Sequence, residues 1–200
     1  MIEIVAYREE WSDEFNQIAS DLREALGELA VRIDHIGSTS VPELPAKDII
    51  DVQVTVASLA PAERLQAAFS AAGYTLRADL CHDHRPPGAA GPDPDWEKRA
   101  ADPPASQRPT NVHVRVLGRP NQRYALLFRD YLRSHPEAAA AYAAVKRRLA
   151  AHHAADIGAY VDIKDPVCDV IISAAEEWAS VTSWQVDRAM ACSGVVEGTE

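Results

Sequence analysis

Residues 35–54 read HIGSTSVPELPAKDIIDVQV, and this stretch joins two strand-like segments through a Gly-Ser turn. The first segment breaks at Gly37 and Ser38, while the second, 49–56, is rich in β-branched residues and carries Asp51 near its start. Glycine lets a backbone approach a ligand closely, because it has no Cβ, and hydroxyl and N–H groups in such a turn can hydrogen-bond phosphate oxygens. A carboxylate on the next strand can hold a divalent cation. The layout therefore predicts a site for a phosphorylated ligand.

Two strand-like segments, 49–56 and 111–117, alternate between apolar and polar side chains. Successive side chains on a strand point to opposite faces, so each segment has one apolar face, suited to the core, and one polar face. If the two strands were neighbours, their polar faces would form one floor with the Gly-Ser turn at its edge. That floor would carry Asp51, Gln53, His113 and Arg115.

Four segments, taken in their order along the chain, resemble the GrpB family. They are residues 35–42, 46–54, 111–116 and 128–136, and the resemblance extends from about residue 4 to residue 178. GrpB proteins are nucleotidyltransferase-like: in that superfamily a strand ends in Gly-Ser, and a later strand carries two acids that bind two magnesium ions. The resemblance implies an α+β fold with a nucleotidyltransferase-like mixed β-sheet packed with helices and a helical C-terminal part. It also implies that the two polar strand faces lie side by side.

GrpB-like domains also occur fused behind a dephospho-CoA kinase. No kinase is expected in this chain, because it contains no Gly-x-x-x-x-Gly-Lys-Ser/Thr loop.

The resemblance assigns catalytic and metal-binding roles that this sequence fills only in part. Asp51 matches the first acid and is the candidate metal ligand and catalytic residue. Gln53 stands where the second acid is expected, and His113, the second catalytic candidate, stands near the place of a third. Because magnesium prefers charged oxygen ligands, the acid set for a two-metal reaction is incomplete. One Mg²⁺ or Mn²⁺ ion, no metal, or a different metal such as zinc all stay open.

The candidate substrate-binding residues surround Asp51. They are Gly37, Ser38, Thr39, Lys47, Gln53 and Arg115. Each also has a purely structural reading: Lys47 could pair with Asp51, and Gln53 and His113 could be hydrogen-bonded sheet residues beneath a helix. His35 is interpreted as a satisfied, semi-buried histidine.

The leading hypothesis is a nucleotidyltransferase-like protein that binds a nucleotide or another phosphorylated small molecule. Its activity would be metal-dependent transfer of a nucleotidyl or related group to a small acceptor. The alternative is a catalytically inactive ligand-binding or partner-stabilising module, which the glutamine at position 53 favours. A third hypothesis is a different group transfer with His113 as general base.

Length and composition indicate one domain, residues 1–182, followed by a flexible tail, 183–200. The net charge of −10 argues against nucleic acid as a partner, since duplex binding relies on clustered Lys and Arg. No apolar run is long enough to cross a bilayer and no signal peptide is visible, so we expect a cytoplasmic protein without a membrane partner. The oligomeric state is left undetermined.

Seven prolines in residues 82–109 exclude a long helix or a central strand there, so this segment is expected to be either a lid or a disordered loop. Its cations Lys98, Arg99 and Arg108 either reach the site or are solvated. Further along the chain, helices are predicted over 121–134, 136–152 and 166–180, the last capped by Asp165.

Two shorter features stand outside these assignments. Tyr160 and Lys164 could reach the cleft from a further helix. The run Cys81-His82-Asp83-His84 lacks a second ligand pair and is not expected to bind zinc.

Overall fold

The computed structural model describes residues 1–89 and 91–186, and within these ranges it forms a five-stranded mixed sheet in the order β1-β2-β5-β4-β3. The strands are β1 (Arg32–Ile36), β2 (Ile50–Val56), β3 (Thr75–Arg77), β4 (Arg99–Asp102) and β5 (Thr110–Val116). The central pair, β2 and β5, is parallel, and the other neighbouring pairs are antiparallel. The helices are α1 (Glu10–Leu26), α2 (Ala62–Ala71), α3 (Pro120–Ser134), α4 (Pro136–His152) and α5 (Ile157–Thr182).

The apolar face of the sheet packs against α1 and α2. Helix α1 places its apolar residues at three- and four-residue steps, which gives it one buried stripe. This stripe meets the β-branched residues of β2 and β5 in one core cluster, whose members include Trp11, Ile18, Leu22, Ile50, Val52, Val54, Val112 and Val114. Burial of this layer fixes which face of each central strand points away from α1.

The polar face of the sheet is covered by the C-terminal helices. Helices α3, α4 and α5 pack on one another through two further apolar clusters, which include Leu127, Leu132, Tyr142, Ala143, Cys168, Ile172 and Ala175. A cleft is left between these helices and the polar floor. The expected α+β class, a mixed sheet packed with helices and followed by a helical C-terminal part, is thus confirmed.

The proline-rich segment contains a strand, so the expectation that it holds no central strand is wrong. Strand β4 lies between β5 and β3, and a 3₁₀ turn at Asp93–Trp96 precedes it. The prolines flank the strand instead of interrupting it, because the stretch between Pro94 and Pro103 is free of proline and can complete the ladder. This part of the segment is therefore neither a lid nor a disordered loop.

Helix α5 begins nine residues earlier than position 166, where the sequence predicted its start. Its cap is Asp156, whose carboxylate accepts a hydrogen bond from the Ala159 N–H at 2.9 Å, and Pro166 lies inside the helix. The combination of Asp165 and Pro166 resembled a helix start, although the chain was already helical there. As a consequence, Tyr160 and Lys164 lie on an additional N-terminal part of α5 and line the cleft.

Beyond α5, Trp184 donates from Nε1 to an Asp130 carboxylate oxygen at 3.1 Å. The remainder of the tail predicted for 183–200 lies outside the described residues from position 187 onward. Among the described helices, none combines the length and apolarity that a membrane-crossing segment needs.

Candidate functional site

The parallel register of β2 and β5 sets the predicted polar residues side by side. Asp51 lies opposite Asn111, and Gln53 lies opposite His113. The Asn111 amide donates to an Asp51 carboxylate oxygen at 2.7 Å. On the other side β1 pairs Ile36 with Asp51, which brings the Gly-Ser turn to the same end of the sheet. Asp51, Asn111, His113 and the turn line a cavity of about 360 Å³ beneath the C-terminal helices.

The turn touches the Asp51 side chain, and this contact requires glycine at position 37. Gly37 has φ 67° and ψ −170°, a region of backbone space open almost solely to glycine. A Cβ at this position would lie 2.2 Å from an Asp51 carboxylate oxygen and 2.8 Å from the Asp51 Cβ. The carboxylate therefore lies directly against the backbone of the turn.

Lys146 reaches this turn from α4, and the sequence interpretation missed it. Its Nζ donates to Ser38 Oγ at 2.8 Å and to the Pro45 carbonyl at 2.6 Å, and it lies 4.7 Å from the centre of the Tyr142 ring. Because Ser38 accepts from Lys146, its own hydroxyl hydrogen is free to donate to a ligand. The signal in the sequence was a lysine on the apolar face of an alanine-rich helix, three residues before Leu149.

The surroundings of Lys146 disfavour its charged form. Burial and the nearby Lys164 lower the pKa of Lys146 to about 7, with Arg147 acting in the same direction more weakly. Cys168 and Asp51 oppose this shift. The ammonium group is thus close to its titration point at neutral pH.

Two further lysines line the same part of the cleft. Lys47 lies over the Tyr160 ring, 5.4 Å from its centre. Burial lowers the pKa of Lys47, and Asp51 opposes that shift. Lys164 on α5 lies 3.5 Å from Asp165. Burial raises the pKa of Asp51, against the opposing hydrogen bond from Asn111 and the charges of the two lysines.

A second polar network holds Arg115. Its Nε and Nη2 donate to the two oxygens of Asp83 at 2.7 and 2.8 Å, and its Nη1 donates to Gln53 Oε1 at 2.7 Å. Lys98 and Asn121 also donate to Asp83, at 2.8 and 3.1 Å. Burial alone would raise the pKa of Asp83, but Arg115 and Lys98 hold it well below its ordinary value.

Gln53 supports this network from below and does not reach the cleft. It is fully buried, and its Nε2 donates to the Gln122 carbonyl at 3.2 Å. Asp83, which the sequence interpretation considered only within a weak zinc motif, is the carboxylate that neutralises Arg115. In the sequence Asp83 is a single acid between two histidines, and this pattern does not reveal that its partner is Arg115.

His113 lines the cleft as an uncharged ring. Burial, followed by Arg115 and Lys98, lowers its pKa well below the ordinary value. Lys98 Nζ lies 3.4 Å from Nδ1 and can only donate, so we assign the single ring proton to Nε2. In this tautomer His113 offers a hydrogen-bond donor to a ligand and no proton acceptor.

Thr39 and His35 form a pair behind the turn. His35 Nε2 lies 3.0 Å from Thr39 Oγ1, and the ring stacks on Phe15 with 4.6 Å between centres. Burial lowers the pKa of His35 to about 4, with Arg133 and Arg129 acting in the same direction. The interpretation of His35 as a satisfied histidine is confirmed.

The remaining candidates from the loop divide between the site and the surface. Lys98 joins the Arg115 network. The Arg108 guanidinium instead bonds to Asp48 and to Glu14 of α1, the helix that packs on the other face of the sheet. The Cys81–His84 run does not converge on one point, since His84 bonds to Asp169 at 2.9 Å and Asp83 turns to Arg115.

The donor set around Asp51 does not fit a divalent cation. Among residues 1–89 and 91–186, no three His, Cys, Asp or Glu side chains come together as ligands. Asp51 already accepts from Asn111, and Gln53, at the place of the second acid, is engaged by Arg115. Lysine ammonium groups face the remaining space, and like charges repel a metal ion.

Aromatic side chains form another wall of the cleft. Tyr124 and Phe128 on α3 stack with 6.1 Å between ring centres, and Trp96 meets Tyr124 edge to face at 6.4 Å. All three line the cleft. The cleft thus combines lysine side chains beside the turn with an aromatic wall.

Comparisons with known proteins match most of the chain. The family model for GrpB protein matches residues 1–174. A crystal structure of conserved protein GrpB from Enterococcus faecalis superposes with a TM-score of 0.72 at 30% identity, covering 88% of this chain and 99% of that one.

Two curated relatives show the range of contexts. A dephospho-CoA kinase from Mycolicibacterium paratuberculosis is 41% identical over 191 residues, which is 88% of this chain and 46% of that protein. The UPF0157 protein BH1888 from Halalkalibacterium halodurans is 33% identical, covering 87% of this chain and 82% of that protein. The chain spans about half the length of the dephospho-CoA kinases it matches.

Proposed function

The chain belongs to the GrpB family, and from this we propose that its cleft binds a nucleotide or a related phosphorylated small molecule, with a phosphate group at the Gly37-Ser38 turn. The observation that carries the proposal is the buried Lys146 ammonium, 2.8 Å from the Ser38 hydroxyl at the open edge of the turn. A hydroxyl with a free hydrogen and an adjacent cation are the groups that hold phosphate oxygens.

The charges of the cleft support an anionic ligand. Asp83 is already neutralised by Arg115 and Lys98, so it contributes little net charge to the site. Among the described residues, neither Lys47 nor Lys146 has a carboxylate within ion-pair distance. The protein as a whole carries a net charge of −10, so this unpaired positive charge is local and not a property of the surface.

The aromatic wall of the cleft supports a ligand with a planar group. Tyr124 and Phe128 are partly exposed, and aromatic faces stack on nucleobases with about 1–3 kcal/mol per base. A nucleotide whose phosphates contact the turn would place its base toward this wall. This arrangement favours a nucleotide over inorganic phosphate.

The activity we propose for this site is transfer of a nucleotidyl group from a nucleoside triphosphate to a hydroxyl of a small acceptor, with pyrophosphate as the leaving group. Such a reaction needs a proton acceptor beside the phosphate, and Asp51 is the carboxylate that touches the turn. His113 is less suited to that role, because Lys98 occupies its acceptor nitrogen. We therefore assign the base to Asp51, and a hydrogen-bond donor to His113.

A second candidate function is a ligand-binding module without chemistry of its own. The relatives named dephospho-CoA kinase favour it, since they contain a region like this chain within a protein of about twice the length. In that setting the domain would bind a nucleotide-like ligand and support a neighbouring kinase region. Product formation by the isolated chain separates the two candidates, because a module alone yields none.

The binding proposal can be tested by thermal unfolding with AMP, ADP, ATP, dephospho-CoA and inorganic pyrophosphate. A ligand at one hundred times its dissociation constant should add about 2.7 kcal/mol to the free energy of unfolding. Ser38→Ala should reduce the shift, because it removes the hydroxyl donor at the turn. If no compound in the panel stabilises the protein, the proposed function is wrong.

The affinity for a phosphate monoester such as AMP should depend on pH with a maximum near 6–7. The charged form of Lys146 is lost as pH rises through its pKa of about 7, so the affinity should fall above neutrality. Below about pH 6 the phosphate gains a proton and its charge falls from −2 to −1. Calorimetric titrations over about pH 5–9 measure both limbs of this dependence. Lys146→Met should lack the decline above neutrality, and a wild-type affinity that keeps rising to pH 9 would contradict this assignment.

A further inference from the structure

Resting on the proposed function, we propose that Lys146 and Lys47, and not a divalent cation, neutralise the bound phosphate, so that the protein takes its phosphorylated ligand in the metal-free form. The donor set around Asp51, which does not fit a metal ion, motivates this inference.

Lys146 is prepared to receive an anion. Its side chain is buried, with 3% of the residue exposed, and both of its hydrogen-bond partners, Ser38 Oγ and the Pro45 carbonyl, are neutral. An ammonium group has three donors, so one is left for the ligand. A buried cation without a counter-charge is costly, and a bound phosphate would supply that counter-charge in the complex.

Lys47 adds a second positive charge on the same side of the cleft. It is held over the Tyr160 ring, which is itself 1% exposed and therefore fixed in place. Asp51 and Lys164 are the charged groups that most affect it. Because the ring leaves the ammonium donors free, Lys47 can contact a second phosphate oxygen.

A divalent cation at Asp51 would compete with the lysines for the bound phosphate. Among the described residues that line the cleft, Asp51 offers the one carboxylate at the turn. One of its oxygens accepts from Asn111, and the other lies directly against Gly37. A metal placed there would sit among the charges of Lys47, Lys164 and Arg115, all of which act on Asp51. A ligand already complexed with magnesium also carries less negative charge for the lysines to bind.

The inference can be tested by isothermal titration calorimetry with ADP and inorganic pyrophosphate as probes, each measured with EDTA and with saturating magnesium. We expect a dissociation constant in EDTA that is equal to or lower than the constant in magnesium. Lys146→Met and Lys47→Met should each weaken binding about tenfold or more, since each removes a charged partner of the phosphate. Arg148→Met, an exposed cation on the same helix, is the matched control and should leave the constant unchanged.

The outcomes separate this inference from the function on which it rests. Binding that is lost in EDTA and restored by magnesium would overturn the metal-free mode and leave the phosphate site standing. Absence of binding under both conditions would overturn the phosphate site and the inference together. If Lys146→Met fails to fold, as judged by circular dichroism, Lys47→Met and the comparison between EDTA and magnesium still decide the question.

Discussion

Asp83→Asn should lower the free energy of unfolding by about 3–5 kcal/mol at pH 7, the usual cost of removing one partner from a buried ion pair. Asp83 accepts from both Arg115 and Lys98, which are 6% and 8% exposed. Asparagine keeps the shape of the side chain but leaves two buried cations without a counter-charge. Urea unfolding followed by circular dichroism measures the difference.

The control for this prediction is Asp79→Asn. Asp79 pairs with Arg77, but its side chain is 68% exposed, so its loss should cost far less stability than the loss of Asp83. Equal stability of Asp83→Asn and the wild type would contradict the assigned role of Asp83.

The effect of Asp83 should also depend on pH. Its pKa is depressed in the folded protein, so its stabilisation is present above the unfolded value of about 3.9 and is lost as pH falls below that value. The difference between wild type and Asp83→Asn should therefore shrink in acid. A difference that stays constant down to pH 2, well below about 3.9, would show that charge is not its cause.

Gly37→Ala should destabilise the protein by about 3 kcal/mol. The backbone at φ 67° and ψ −170° costs about 1–3 kcal/mol for a residue other than glycine. The added Cβ also meets the Asp51 carboxylate and Cβ, so that side chain or the turn must move. Thermal unfolding measures the loss, and phosphate binding should fall with it, because the turn forms the proposed phosphate contact.

Two comparisons isolate the causes of that loss. Gly118→Ala is the control for a positive φ without a clash, since Gly118 has φ 78° and open space around the added Cβ. In an Asp51→Ala background the nearest contact, at 2.2 Å, is gone, so Gly37→Ala should cost less than in the wild type. Additive effects of the two substitutions would show that the turn and Asp51 do not press on each other.

The central floor of the site could be predicted because its residues follow a local rule. Side chains along β2 and β5 alternate between the two faces of the sheet, so Asp51 and His113 lie on the face opposite the valines. Because the valines pack against α1, the polar residues must point toward the cleft. The side-by-side placement of the two strands came from the GrpB resemblance, and the observed register agrees with it.

The rest of the site could not be predicted, because it depends on contacts between distant segments. Lys146 is 108 positions from Ser38 along the chain, and Asp83 is 32 positions from Arg115. Neither pairing leaves a local pattern: Lys146 is one lysine in an alanine-rich helix, and Asp83 lies among prolines and histidines. Helix α4 brings Lys146 to the floor and the segment between β3 and β4 brings Asp83, and neither placement is encoded in a short motif.

Two parts of the fold, strand β4 and the start of α5, could not be predicted for the same reason. Four residues between prolines form an interior strand because β5 offers it an unpaired edge, which no local propensity reports. Asp156 and Asp165 are both plausible caps, and tertiary packing of Tyr160 against the N-terminal segment favours the earlier one.

A crystal structure of the protein with ADP would show where the phosphates bind. We expect phosphate oxygens within hydrogen-bond distance of both Ser38 Oγ and Lys146 Nζ, with the base toward Tyr124 and Phe128. A nucleotide bound elsewhere on the molecule, or bound in the cleft with its phosphates away from the turn, would contradict this expectation.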